Sequence, residues 1–169
     1  LIPLAAETLP RPRTVDAAGR GVPADSPRVA YTLYEIRIRP GILYQPHPAF
    51  ARDPSGKLLY HNLKPDDLKG IYSLRDFPQT GTRELTAEDY AYQIKRLAHP
   101  RLHSPVFGLM SEYIVGLKAF AETLKTEDKA LAASGTGNAW LDLSKFQLAG
   151  VELVDKYRYR IRIKGRYPQ

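Results

Sequence analysis

Cysteine is absent from the 169 residues, and methionine and tryptophan occur once each. Without cysteine, a disulfide scaffold and cysteine-ligated zinc or iron–sulfur sites are excluded. The same absence suits either a reducing or an oxidising compartment. No apolar run reaches the length of about 18 residues that a membrane span needs, because Arg, Lys or Tyr interrupts each one. The chain opens Leu1-Ile2-Pro3, with no basic stretch followed by an apolar one, so no targeting peptide is expected within it. It stops at Tyr167-Pro168-Gln169, directly after a strongly patterned strand, and is expected to be a piece of a longer protein.

What is present is ordinary for a folded chain: 43% hydrophobic and 25% charged residues, which excludes disorder throughout. The length suits roughly one compact domain. Lys and Arg number 25 against 18 for Asp and Glu, a net charge of +7 with an isoelectric point near 9.6. Such an excess either serves an anionic partner or simply aids solubility.

Residues 1–28 carry prolines at 3, 10, 12, 23 and 27 and read as an extended, Pro-rich lead-in. From Tyr31 to Arg39 the pattern alternates. Tyr34, Ile36 and Ile38 fall on one face and Glu35, Arg37 and Arg39 on the other, as in a half-buried strand. Pro40-Gly41 predicts a turn, with Ile42-Leu43-Tyr44 returning as a short partner strand. Residues 45–84 then read as a loop-rich insertion with five prolines, in which Pro65–Lys69 is a single helical turn.

The strongest helical signal comes next. Thr86 is a good N-cap, Glu88 and Asp89 load the first turn, and Lys95 and Arg96 the last. Ala87, Tyr90, Ala91, Ile94, Leu97 and Ala98 form the apolar stripe, and Pro100 is the stop. Ser104-Pro105 predicts the start of a second helix with Val106, Met110, Leu117, Phe120, Ala121 and Leu124 on one buried face. A ragged third helix is expected over 126–139, failing at Ser134-Gly135-Thr136-Gly137. The chain closes with a strand at Gly150–Val154, a turn at Asp155-Lys156 and a strand at Tyr157–Lys164. Tyr157, Tyr159, Ile161 and Ile163 alternate there with Arg158, Arg160, Arg162 and Lys164. Strands, then helices, then strands predict an α+β fold: a mostly antiparallel sheet with two or three helices and a long irregular insertion.

Signals for chemistry are sparse. His99 and His103 are spaced i,i+4, but Pro100 and Pro105 bracket them, so they do not share a continuous helix as a zinc pair would. There is no nucleophile elbow, and the acid pairs Asp66/Asp67, Glu88/Asp89 and Glu127/Asp128 stand where helix starts want negative charge. Gly135-Thr136-Gly137-Asn138 lacks the lysine and spacing of a phosphate loop. The expectation is a non-enzyme without cofactor or metal. The sharper alternative is a basic nucleic-acid-binding module, with Arg37, Arg39, Arg158, Arg160, Arg162, Lys164 and Arg166 gathered on one sheet face. Against it, the tyrosines alternate onto the opposite face, where they serve as core.

Four blocks together resemble a known family. Leu85-Thr86-Ala87-Glu88-Asp89, Tyr92, Lys95-Arg96-Leu97 and Pro100 are similar to the L-T-A-E-D-x-x-Y-x-x-K-R-L-x-x-P helix of bacterial extracellular solute-binding proteins of family 5, the oligopeptide, dipeptide and nickel group of ABC importers. Tyr34–Tyr44 resembles that family's Y-T-F-x-L-R-x-G-V-x-F hairpin. Gly150–Tyr157 and Lys164–Gln169 resemble G-V-E-x-V-D-x-Y and the K-x-P-Y-P ending, and Pro3–Glu7 faintly echoes P-x-L-A-E.

The resemblance implies a two-lobed protein that closes on a solute, expected to be a peptide, outside the cytoplasmic membrane. It would be periplasmic or at the cell surface, and would deliver its solute to an ABC permease. This chain would be the smaller subdomain inserted in the first lobe, working with the remaining lobes. The 45–84 segment stands where the family has a short H-D-G-x-P turn. In peptide-binding relatives an aromatic after the S-P pair reaches the ligand; the matching position here is Val106, with Phe107 next to it. Val106, Phe107 and Tyr113 are therefore the expected ligand-facing residues.

Overall fold

A computed structural model describes residues 2–61, 63–135 and 140–166. It is an α+β fold whose four strands form one antiparallel sheet in the order β1-β2-β4-β3. The strands are β1 (Pro12–Val15), β2 (Tyr31–Arg37), β3 (Val151–Asp155) and β4 (Arg158–Lys164). The helices are α1 (Ala87–Arg96), α2 (Phe107–Tyr113) and α3 (Leu117–Ala133). Contacts divide the chain into two units, one made of 1–39 with 86–169 and the other of 40–85.

In the first unit the alternating stretches pair as their pattern demands. Tyr34 lies opposite Ile161, Ile36 opposite Tyr159 and Thr32 opposite Ile163, so these side chains share one face. Helix α1 covers that face because its inward residues are small. Ala87 and Ala91 are buried, Tyr90 stacks on Tyr159 with ring centroids 5.4 Å apart, and the Ala87 N–H donates to the Lys156 carbonyl at 2.9 Å. The predicted cap is present: the Asp89 carboxylate accepts from the Thr86 N–H at 2.8 Å, closing a capping box. Ile114, Leu117, Phe120, Ala121, Leu124, Leu141, Leu143 and Leu148 complete the core, with Ile161 of β4 packed against it.

Several boundaries differ from the expectation. The Pro-rich lead-in supplies β1, an edge strand with Pro12 at its first position, where a missing N–H is tolerated. Ile42–Tyr44 does not return onto β2; instead the Leu85 N–H donates to the Ile42 carbonyl and the Tyr44 N–H to that of Arg83. The last hairpin turns at Lys156-Tyr157, one residue late, because Asp155 Oδ1 accepts from the N–H groups of both Tyr157 and Arg158 at 2.9 Å.

The helix expected from Ser104 onward begins only at Phe107 and breaks at Ile114–Gly116. There Ile114 bridges Ile163, the Val115 N–H donates to the Arg162 carbonyl at 3.1 Å, and Gly116 adopts φ +78°. The chain leaves the helix to satisfy β4 beyond the end of β3. Residues 126–133 are not a third, separate helix but the continuation of α3, which ends at Ala133 with Gly135 at φ +71°. Thr136–Ala139, which hold most of the Gly-rich turn, and Tyr167–Gln169 lie outside the described residues.

The second unit, Pro40–Leu85, has no helix or strand among its described residues beyond isolated bridges and three 3-10 turns, Pro48–Phe50, Pro65–Leu68 and Leu74–Asp76. Paired bonds between His47 and Gly81, at 2.8 and 3.1 Å, tie its two sides together. Its aromatic cluster sets Tyr44 against Phe50, with the Arg83 guanidinium 4.8 and 5.4 Å from the two rings.

Candidate functional site

The expected ligand-facing residues sit on α2, but not on one face. Val106, at the N-cap, is 44% exposed. Helical spacing puts it with Leu109, Met110 and Tyr113 on one side, while Phe107, Ser111 and Ile114 lie on the other. Leu109 and Met110 are 63% and 38% exposed, whereas Ser111 and Ile114 are buried and Phe107 packs against the core. The structure thus groups Val106 and half-buried Tyr113 on the outward side and turns Phe107 inward.

Met110 and Val106, expected in the core with Leu117 and Leu124, are exposed. The break at Ile114–Gly116 gives α2 and α3 separate registers, and only α3 keeps the buried stripe. Leu109 joins this edge without having been expected there. Its i+3 spacing from Val106 is the one signal in the sequence, and a single continuous helix through Leu124 masks it. At the end of this edge, Glu112 pairs with Lys118, whose hydrogen bond holds the carboxyl below its usual range.

The basic sheet face is real in register, and three of its seven cations, Arg37, Arg158 and Arg160, are held in ion pairs. Arg158, Arg160, Arg162 and Lys164 lie opposite Arg37, Glu35, Leu33 and Tyr31 of β2. Arg160 bonds Glu35 at 2.7 Å and Glu152 at 2.8 Å, and the Glu35 bond foremost raises its pKa. Arg158 holds Asp155 at 2.6 Å, and that bond keeps the Asp155 carboxyl low. Arg37 pairs with Glu7 at 3.2 Å. Arg39, just beyond the end of β2, donates to the Pro3 carbonyl, and Arg166 to that of Ser26.

Two other places hold polar side chains. Near the end of α1, His99 Nδ1 accepts from the Arg101 N–H at 3.1 Å, and Arg101 pairs with Asp128 of α3 at 2.6 Å. Burial pushes the His99 pKa down, with Asp128 opposing. Within 40–85, Tyr60, Leu63, Ile71 and Phe77, with His61 and Asp67, line a concavity of about 460 Å³. Among the described residues no three His, Asp or Glu side chains come together as a metal site would need, and no helix is long and apolar enough to cross a membrane. No protein-family model matches the chain, and neither a curated protein nor a solved structure matches it.

Proposed function

We propose that the chain is a subdomain of an extracytoplasmic solute-binding protein that captures peptides for an ABC permease, performing no chemistry itself. One observation carries the reading. Parts of the sequence blocks on which the family resemblance rests are far apart in the chain but lie in one unit, although Pro40–Tyr44 of the hairpin block falls in the other. The Tyr34–Arg39 stretch and the Gly150–Tyr157 block contribute β2 and β3, which flank β4 in one sheet. The Leu85–Leu97 block contributes α1, pinned to the β3–β4 hairpin through Ala87 and Lys156.

In this reading, the outward side of α2 (Val106, Leu109, Met110 and Tyr113) is the edge turned toward the solute. Phe107 serves the core. Delivery follows from closure of the lobes around the bound peptide. The ion pairs of Arg37, Arg158 and Arg160 weigh against the nucleic-acid reading, because they remove the continuous positive track that a phosphate backbone needs.

Native mass spectrometry of the complete gene product and of this 169-residue chain, each with a mixed pool of short peptides that lack Asp and Glu, tests the proposal. Retention of peptides by the complete product and not by the chain alone is the expected result. Absence of bound peptide from both, with oligonucleotide adducts on the chain, overturns it.

A further inference from the structure

The open face of the sheet is divided by its acids. Toward the β3–β4 turn, Glu35, Glu152 and Asp155 occupy the arginines. Toward the other end, exposed Arg13, Arg162 and Lys164 have no ion pair among the described residues, although the Lys164 charge reaches the Glu112 carboxyl of α2 and helps Lys118 to lower its pKa. The register places Arg13 and Arg162 on either side of Leu33, and Lys164 beside Tyr31. With strands about 4.8 Å apart, the two arginine Cα atoms are about 10 Å from each other. Arg162 and Lys164, two residues apart on β4, are separated by about 6.7 Å. The Arg162 guanidinium lies 5.6 Å from the Tyr31 ring centroid, which limits its freedom before any partner arrives. Leu33 between the arginines and Val15 beside Tyr31 are 7% and 1% exposed, so the apolar floor here is already covered and only the charged side chains stand out.

We propose that this end of the sheet is a docking surface for an acidic polypeptide segment in extended conformation. Like-facing side chains of such a segment repeat at the spacing of Arg162 and Lys164, so alternate carboxylates meet successive cations, while Arg13 takes a carboxylate across Leu33. A protein partner fits better than nucleic acid. This end offers three cations before the carboxylates of Glu35 and Glu152 close the track, one of them, Lys164, also facing Glu112, and Tyr31 lies beneath Arg162 rather than bare for a base. The proposal stands apart from the peptide-capture reading, since it uses neither the outward side of α2 nor a second lobe.

The test is fluorescence anisotropy of the 169-residue chain with three labelled probes at low salt: an octapeptide alternating Glu and Ser, its Gln-for-Glu counterpart, and an oligothymidine of eight nucleotides. The Glu peptide is expected to bind, and the Gln peptide not to. Affinity should fall by about tenfold or more in Arg13→Glu/Arg162→Glu, since rim charges dominate such encounters. Lys129→Glu, on an exposed turn of α3, should leave it unchanged. Should the double variant not fold, amide shifts of the unaltered chain serve instead, and peptide-induced changes should centre on Arg13, Leu33, Arg162 and Lys164. Equal binding of the Gln peptide, equal loss in Lys129→Glu, or shifts centred elsewhere overturns the proposal. Tighter binding of the oligonucleotide than of the Glu peptide through the same arginines replaces it with a phosphate site.

Discussion

His99 illustrates how one side chain couples charge to packing. Its Nδ1 is an acceptor for the Arg101 N–H, a role that only the neutral ring fills. Burial lowers its pKa below the ordinary 6.5; Arg101 and Arg96 push the same way, and Asp128 against them. Because the folded value is depressed, the unfolded chain takes up the proton first as pH falls. The stabilisation is whole above about pH 6.5 and drains away as pH drops through the folded pKa. Thermal melts between pH 7.5 and 5 should therefore show a declining Tm, and His99→Gln should flatten the part of that decline between pH 6.5 and 5. An unchanged slope in the variant would show that His99 does not carry the acid sensitivity; carboxylates such as Asp16, held low first by the Arg20 N–H, give up their stabilisation only at lower pH, as it falls through and below about 4. Nothing local in the sequence marks His99 for this role; Asp128 on α3 is 29 positions away, and only the tertiary fold brings its charge to bear.

At the scale of elements, legibility followed the range of the forces involved. Period-2 alternation over Tyr31–Arg37 and Arg158–Lys164 is a local property of each strand, and the structure pairs the two in full register. The Thr86–Asp89 cap is likewise complete within four residues. The α2–α3 break was not legible, because its cause is a strand distant in sequence: β4 requires a partner for the Arg162 carbonyl, and Val115 supplies it. The candidate ligand edge suffered for the same reason, since the outward side of α2 exists only once the break separates it from α3. Gly116 carries the cost of that geometry at φ +78°, and a Cβ there would stand 3.1 Å from the Ala149 methyl group. Gly116→Ala should lose about 1–2 kcal/mol for the left-handed backbone. Leu124→Ala, in the fully buried stripe of α3, should lose about 2–5 kcal/mol. Urea denaturation of both variants measures this. A Gly116→Ala chain as stable as the parent would mean that residues 114–116 adopt another path.

For the molecule as a whole, the decisive relation is between chain order and core membership. Every buried residue of the main core lies at or beyond position 98, and the sheet draws on 12–37 and 151–164, so the 40–85 unit supplies none of them. Its own ends meet: Ile42 accepts from Leu85, Tyr44 donates to Arg83, and the Gly41 N–H donates to Glu84 at 2.7 Å. A segment whose ends already touch can be shortened without displacing the residues on either side. Closing a shorter loop also costs less entropy, a gain of at most about 2–3 kcal/mol here. Replacing Gln45–Thr82 with Asn-Gly, a pair suited to a tight hairpin, should therefore leave the rest folded. The far-UV circular dichroism should keep the helical signal of α1 and α3, and Tm should stay level or rise. A cooperative transition retained in the shortened chain would identify 45–82 as an elaboration on a self-sufficient sheet-and-helix unit. Collapse of that transition would instead make the segment part of the folding unit, and the short turn of the solute-binding family would then be no guide to this chain's architecture.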